Sequence, residues 1–229
     1  MIAPTLAALL ATLLDGGATA AQRNDACYAL RGQRAPEAIA ALAAAIGDKV
    51  VRVCAARDLR EAGAVDALLS ALASADADTQ MAAARELGEL RDSRALEPLG
   101  LAAVSENPLV GAAAITALGS YPTGDALPYL LNAAGQPGVS GVNALEQAAR
   151  SKSPEVLKRA REVLATGDVA SQVIALSIIG DLGDQRDLPK LRELAARSDP
   201  QYSRGRGFGF MPPIDVARAA QTAITRISK

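Results

Sequence analysis

A short phrase recurs along this chain: a helical stretch rich in small residues, an aliphatic anchor, a turn, then a second helical stretch. The anchors are Leu30, Leu59, Leu87, Leu118, Ala148, Ile179 and Ile224, at successive spacings of 29, 28, 31, 30, 31 and 45 residues. A period of about 30 residues marks stacked supersecondary units, none of which buries its apolar face alone. The last interval exceeds the period by about half a repeat, so residues 199–213 read as an inserted loop before a final helix over 214–229. The first leucines, at positions 6, 9, 10, 13 and 14, have the one-sided spacing of an amphipathic helix rather than a signal core, and residues 1–15 are expected to cap the array. Pro4 is placed in the first turn of that helix. Residues 18–198 hold the repeats, and the whole 1–229 is expected to be one repeat domain.

Half of the residues are hydrophobic, and the six aromatics are four tyrosines and two phenylalanines. Alanine and leucine are strong helix formers, so the expected fold is all-α, with closely approaching helices. Lysine and arginine number 24 against 25 acidic residues, a balance that gives no footprint for nucleic acid or an anionic membrane. There is no histidine, which removes the commonest general base, metal ligand and neutral-pH switch together. No stretch approaches the roughly 20 apolar residues of a membrane span. Cytoplasmic placement is the expectation, or export if a signal preceded Met1.

Helix boundaries follow capping chemistry. Asn107-Pro108 and Ser153-Pro154 set a capping side chain before a proline at the first helical position, while Asp48 and Asp168 precede other first helices. Pro98, Pro128 and Pro189 are expected near the starts of second helices, because an interior proline costs about 3 kcal/mol. The grammar is clearest from Asp78 to Glu106. There Met81, Ala83, Ala84, Leu87 and Leu90 form an apolar stripe, Gln80, Arg85, Glu86 and Glu89 lie off it, and Arg91-Asp92-Ser93 makes the turn. Burying a charge at Leu87 is expected to unfold the array.

Gln80 to Leu99, QMAAARELGELRDSRALEPL, resembles the short HEAT-like repeat of the phycobilisome-lyase type. Arg52 to Leu72 and Val173 to Leu194 resemble it less closely, and the unit around Gly141 to Leu164 lacks the turn's glycine and aspartate. The resemblance implies a right-handed α-solenoid of six to seven antiparallel helix pairs whose second helices line a concave surface. It identifies a module that serves many tasks rather than an activity. Metal-dependent hydroxylases of this kind carry paired His-Glu motifs, which a chain without histidine cannot supply. Base-excising relatives are basic with aromatic clefts, unlike this neutral chain. A bilin-lyase role is implied by the resemblance, with no residue assigned to it.

The segment DPQYSRGRGFGFMPP, residues 199–213, holds three of the aromatics beside two arginines. Tyr202, Arg204, Arg206, Phe208 and Phe210 are side-chain types that dominate binding hot spots. They are candidate partner contacts, and the other reading is that Phe208, Phe210 and Met211 fold back to seal the end of the array. One short Arg-Gly-Phe run on a neutral protein makes a weak case for RNA. Tyr129 and Asn132, on a second helix, are candidates for a groove, against a structural reading of Tyr129 and of Tyr121. Arg150, Lys152, Lys158, Arg159 and Arg161 read as a solvated face, with Glu155–Arg159 and Lys158–Glu162 as surface pairs. The acid pairs Glu86/Glu89 and Asp181/Asp184 read as helix-surface and turn residues. Cys27 and Cys54 are expected to be buried free thiols, because helices pack roughly 8–10 Å apart and a disulfide needs Cα atoms within about 7 Å.

The expectation for function is a monomeric, non-enzymatic scaffold that binds a protein or peptide through its concave face and the 199–213 loop, with no catalytic, cofactor or metal site and no nucleic-acid or membrane partner. Its alternatives are a lyase- or chaperone-like helper of a cofactor-bearing protein and a structural segment of a larger scaffold.

Overall fold

The computed structural model describes residues 4–196 and 215–229, and these form fourteen α-helices, two single-turn 3-10 helices and no strand. The fold class is all-α, of the helical-repeat, α-solenoid kind that the recurrence requires. Two compact units, Met1–Tyr129 and Leu130–Lys229, are described in turn.

Unit 1 contains α1 (Leu6–Leu14), α2 (Ala20–Ala29), α3 (Pro36–Ala45), α4 (Arg52–Ala62), α5 (Val65–Leu72), α6 (Ala77–Leu90), α7 (Leu96–Ala102) and α8 (Pro108–Leu118), and the first turns of α9 (Thr123–Ala133). The even-numbered helices are the first helices of successive repeats. From α4 onward each packs on the first helix before it and on the second helix of the preceding repeat, as α6 packs on α4 and α5. The anchors Leu30, Leu59, Leu87 and Leu118 are fully buried along this line, with Leu42, Leu68 and Leu99 facing them from the second helices. Burying each such leucine is worth about 1.5–3 kcal/mol.

Between α6 and α8 the approach is set by glycine. A Cβ on Gly88 would lie 2.8 Å from Ala117 Cα and 2.9 Å from its Cβ, so only a hydrogen at position 88 admits the α8 backbone. Helix α6 thus meets neighbours on several sides, and the buried arc is wider than the stripe read from sequence. It includes Ala82, Ala83, Ala84 and Gly88, and also Glu86, which is not a surface residue as expected. The helix ends at Arg91 in the left-handed region (φ 54°), a role that Gly63 (φ 60°) takes after α4. Asp92 then accepts a 2.9 Å bond from Arg94 N–H and opens a 3-10 turn over Ser93–Ala95.

Unit 2 contains the end of α9 with α10 (Val139–Ala149), α11 (Pro154–Thr166), α12 (Val169–Leu182), α13 (Leu188–Ala195) and α14 (Val216–Ile227). Leu130, Leu145, Ala148, Leu176, Ile179 and Leu191 are its buried anchors. Ile224 is half-buried, but its neighbour Ala223 is buried and lies against Gly180 as Ala117 lies against Gly88, with a Cβ at Gly180 falling 3.0 Å from Ala223 Cα. The register assigned to the last repeat therefore holds.

Asn107, Ser153 and Asp168 cap α8, α11 and α12, accepting backbone N–H bonds of 3.0, 3.4 and 2.9 Å. Thr5 rather than Pro4 stands at the start of α1, so Pro4 precedes the helix instead of occupying its first turn. Pro98 and Pro189 sit in first α-turns, each after a 3-10 turn. Pro128 lies inside α9, because there the α-helix already begins at Thr123 where the other two repeats hold a 3-10 turn.

Candidate functional site

On unit 1 a groove of about 310 Å³ runs between α6 and α8. Met81, Arg85 and Glu89 project from α6 at four-residue intervals, so they share one face. Leu109, Ala112, Ala113 and Thr116 face them from α8. The two alanines leave room between the helices, and the Gly88–Ala117 contact closes the helices on one another nearby. Leu109 stays 63% exposed in the first turn of α8 because Asn107 and Pro108 hold the helix start at the surface. Thr116 spends its hydroxyl hydrogen on Ala112 O at 2.8 Å. The groove thus offers aliphatic surface and a thioether, flanked by an exposed cation and an exposed carboxylate one helical turn apart. Chemically, such a surface suits an apolar side chain with charged neighbours.

The residues singled out from sequence have several fates. Tyr129 is half-buried with its ring on Gly100, where any side chain would collide with it. Asn132 is exposed. Tyr121 is structural: its hydroxyl reaches Leu87 O at 3.0 Å and Asp92 O at 3.1 Å, satisfying carbonyls at the end of α6 and in its turn. Burial, with the Asp92 charge second, pushes its pKa up to about 12. Tyr202, Arg204, Arg206, Phe208 and Phe210 lie outside the described residues, as does the whole of 199–213.

Two members of the basic cluster, Arg159 and Arg161, are engaged in ion pairing. Arg161 holds Asp187 in a two-pronged contact of 2.8 and 2.9 Å, and Arg159 pairs with Glu162 at 2.9 Å rather than with the expected Glu155. Asp181 and Asp184 are turn and surface groups, paired with Arg226 and Arg186. Glu86 is 5% exposed, and burial raises its pKa above the usual carboxylate range against the opposing pull of Arg60. Its Oε2 stands 3.1 Å from Arg60 Nε, close enough for an ion pair but without the alignment of a hydrogen bond.

The cysteine expectation fails. Cys27 and Cys54 form a disulfide, with Cα atoms 6.2 Å apart and both residues buried. The helix spacing used to exclude it belongs to helices separated by large side chains. Here Cys27, near the end of α2, and Cys54, near the start of α4, have alanines beside them at positions 26, 55 and 56, and the backbones come closer. Asp58, one turn beyond Cys54, is 1% exposed and was not singled out from sequence. Its only local signal was a charged residue one position before the Leu59 anchor.

Among the described residues no helix is long and apolar enough to cross a membrane. Residues 65–148 match the family model for HEAT repeats, in agreement with the resemblance read from the repeat itself. No curated protein matches the chain. Among solved structures, the chain is similar to the complex of CpcE and CpcF of phycocyanin lyase from Nostoc sp. PCC7120, at 22% identity and a TM-score of 0.42, over 99% of this chain and 96% of that one. It is also similar to human deoxyhypusine hydroxylase in complex with glycerol, at 18% identity and 0.40, over 98% and 85%. An engineered protein matches at 17% identity and 0.41, over 99% and 97%.

Proposed function

We propose that this helical-repeat chain is a non-enzymatic binding module for a protein or peptide. The observation that supports the reading is the α6–α8 groove, where Met81 and exposed Leu109 stand beside Arg85 and Glu89. Repeat arrays place such surfaces on rigid helices, so recognition needs little ordering of the protein itself. The partner segment carries an aliphatic side chain for the groove and charges of both signs beside it. The 199–213 segment, with Arg204, Arg206, Phe208 and Phe210, is the second contact in this reading.

The test is a pull-down from cell extract with wild type, Leu109→Asp and Phe208→Ala/Phe210→Ala, followed by affinity measurement on any protein recovered. Loss of a specific partner with Leu109→Asp, by about thirtyfold or more in Kd, is the size of a lost hot spot. Loss with the phenylalanine variant alone moves the contact to 199–213. Recovery of a cofactor-bearing protein turns the module into a helper for that protein. Bound sets identical for all three proteins would remove both surfaces as recognition elements.

A further inference from the structure

Beneath the surface of unit 1, the sulfurs of Cys27 and Cys54 and a carboxylate oxygen of Asp58 lie within 4.8 Å of one another, and all three residues are buried. Asp58 Oδ1 is held by Arg57, whose Nε donates to it at 3.0 Å. Oδ2 instead faces Cys54 Sγ at 3.9 Å. In the disulfide that sulfur carries no hydrogen, so this oxygen of a carboxylate 1% exposed is aimed at a group that cannot donate to it. Burying a carboxylate oxygen without a donor is costly, so this one calls for a partner that the disulfide does not supply. Arg57 completes the surroundings: its Nη2 is 3.9 Å from Cys54 Sγ and its guanidinium stacks over the Tyr28 ring at 5.2 Å.

We propose that the reduced chain binds one thiophilic divalent cation of the zinc class through Cys27 Sγ, Cys54 Sγ and Asp58 Oδ2, and that disulfide formation excludes it. A tetrahedral zinc site, with bonds of about 2.3 Å to sulfur and about 2.0–2.2 Å to oxygen, sets its ligand atoms roughly 3.5–4 Å apart. That fits the existing cluster once the two sulfurs part, and the α2 and α4 backbones need little movement. The charges also close. Two thiolates and one carboxylate carry three negative charges, which the cation and Arg57 neutralise in a buried setting where an unbalanced charge is penalised. Among the described residues the cluster supplies three protein ligands, so the fourth position takes water or an outside ligand. Exchange between the states is a two-electron step. A phosphine and water convert the disulfide to two thiols and a phosphine oxide, and the cation then displaces the two thiol protons.

The experiment titrates the phosphine-reduced, desalted chain with Zn²⁺ against a chromophoric chelator, and with Co²⁺ followed by absorbance. The expected result is one equivalent bound by the reduced chain and none by the oxidised chain. Cobalt should give sulfur-to-metal charge-transfer bands of two-thiolate intensity. Asp58→Asn should weaken zinc binding at least about tenfold, Cys27→Ser should remove the charge-transfer bands of a thiolate pair, and Asp66→Asn, an exposed acid elsewhere on unit 1, should change nothing. The cobalt spectrum of the wild type needs no variant to fold, and circular dichroism checks the variants. Absence of charge-transfer bands in the reduced wild type, or folded Asp58→Asn binding zinc as tightly as wild type, would overturn the proposal.

Discussion

The step from α6 to α8 in unit 1 and the step from α12 to α14 in unit 2 solve the same packing problem with different lengths of chain. Both place a glycine of one first helix against an alanine of the next, Gly88 on Ala117 and Gly180 on Ala223. Both follow the first helix with an aspartate that caps a 3-10 turn and chelates the arginine two residues on, Asp92 with Arg94 and Asp184 with Arg186. Yet 29 residues separate glycine from alanine in the first case and 43 in the second. The added residues leave the helix contact unchanged, so the repeat is specified by its contact residues and not by the distance along the chain. The units differ in their reinforcement. Unit 1 has a disulfide and the cross-repeat pairs Arg23–Asp48 and Arg60–Glu86, whereas unit 2 joins repeats through Arg161–Asp187 and Arg226–Asp181.

The strongest challenge to the equivalence is a charge in one core. Leu87→Asp should cost more than about 4 kcal/mol and remove the cooperative urea transition of unit 1, because the charge has no partner there. A wild-type melt would break the register on which the comparison stands. Reduction, or Cys27→Ser, should come next. Opening a loop of this size costs roughly 3–4 kcal/mol in the chain-entropy picture, and hydrogen exchange should show the loss in unit 1 while unit 2 keeps its protection. Equal loss in both units would mean that their stabilities are coupled.

Gly88→Val and Gly180→Val should each cost about 2–3 kcal/mol by overpacking against a backbone. Similar values would sharpen the equivalence of the two steps, and a harmless Gly180→Val would end it. Caps give a smaller effect. Asp76, whose carboxylate accepts from the Thr79 hydroxyl at 2.6 Å and from its N–H at 2.8 Å, has its pKa lowered, and Asp168 is lowered by the Ser171 and Gly138 N–H groups. A carboxylate lowered on folding stabilises above its unfolded pKa, and that contribution is lost as pH falls through the folded value. Asp76→Ala and Asp168→Ala should therefore each cost about 1 kcal/mol at neutral pH and have less effect in acid. Glu86, raised by burial, has the opposite sign: its contribution is greatest in acid and is lost as pH rises through its folded value. The smallest change is a gain, since Arg91→Gly relieves a left-handed backbone and should add about 0.5–1 kcal/mol by thermal melt.

Much of this fold was legible because a stacked repeat writes its core locally. Six of the seven anchors are buried, and Asn107, Ser153 and Asp168 cap helices as their side chains imply. What escaped depends on residues one repeat away. Glu86 lies inside because α6 is enclosed by its neighbours, and no pattern within α6 reveals Arg60. The Cys27–Cys54 bond turns on how closely alanine lets two helices approach, a distance that periodicity does not carry. The groove escaped for the same reason, because its two walls, α6 and α8, come from successive repeats.

Tyr121 gives the molecule an internal spectroscopic reporter. The chain has no tryptophan and only four tyrosines, so its ultraviolet absorbance above the peptide bands belongs almost wholly to phenol rings. With its pKa pushed up to about 12 by burial and its hydroxyl committed to carbonyls at the end of α6 and in the following turn, Tyr121 should stay dark in an alkaline titration well past the ordinary phenol value of about 10. The delayed rise in absorbance then times the opening of the α6–α8 step with no label attached.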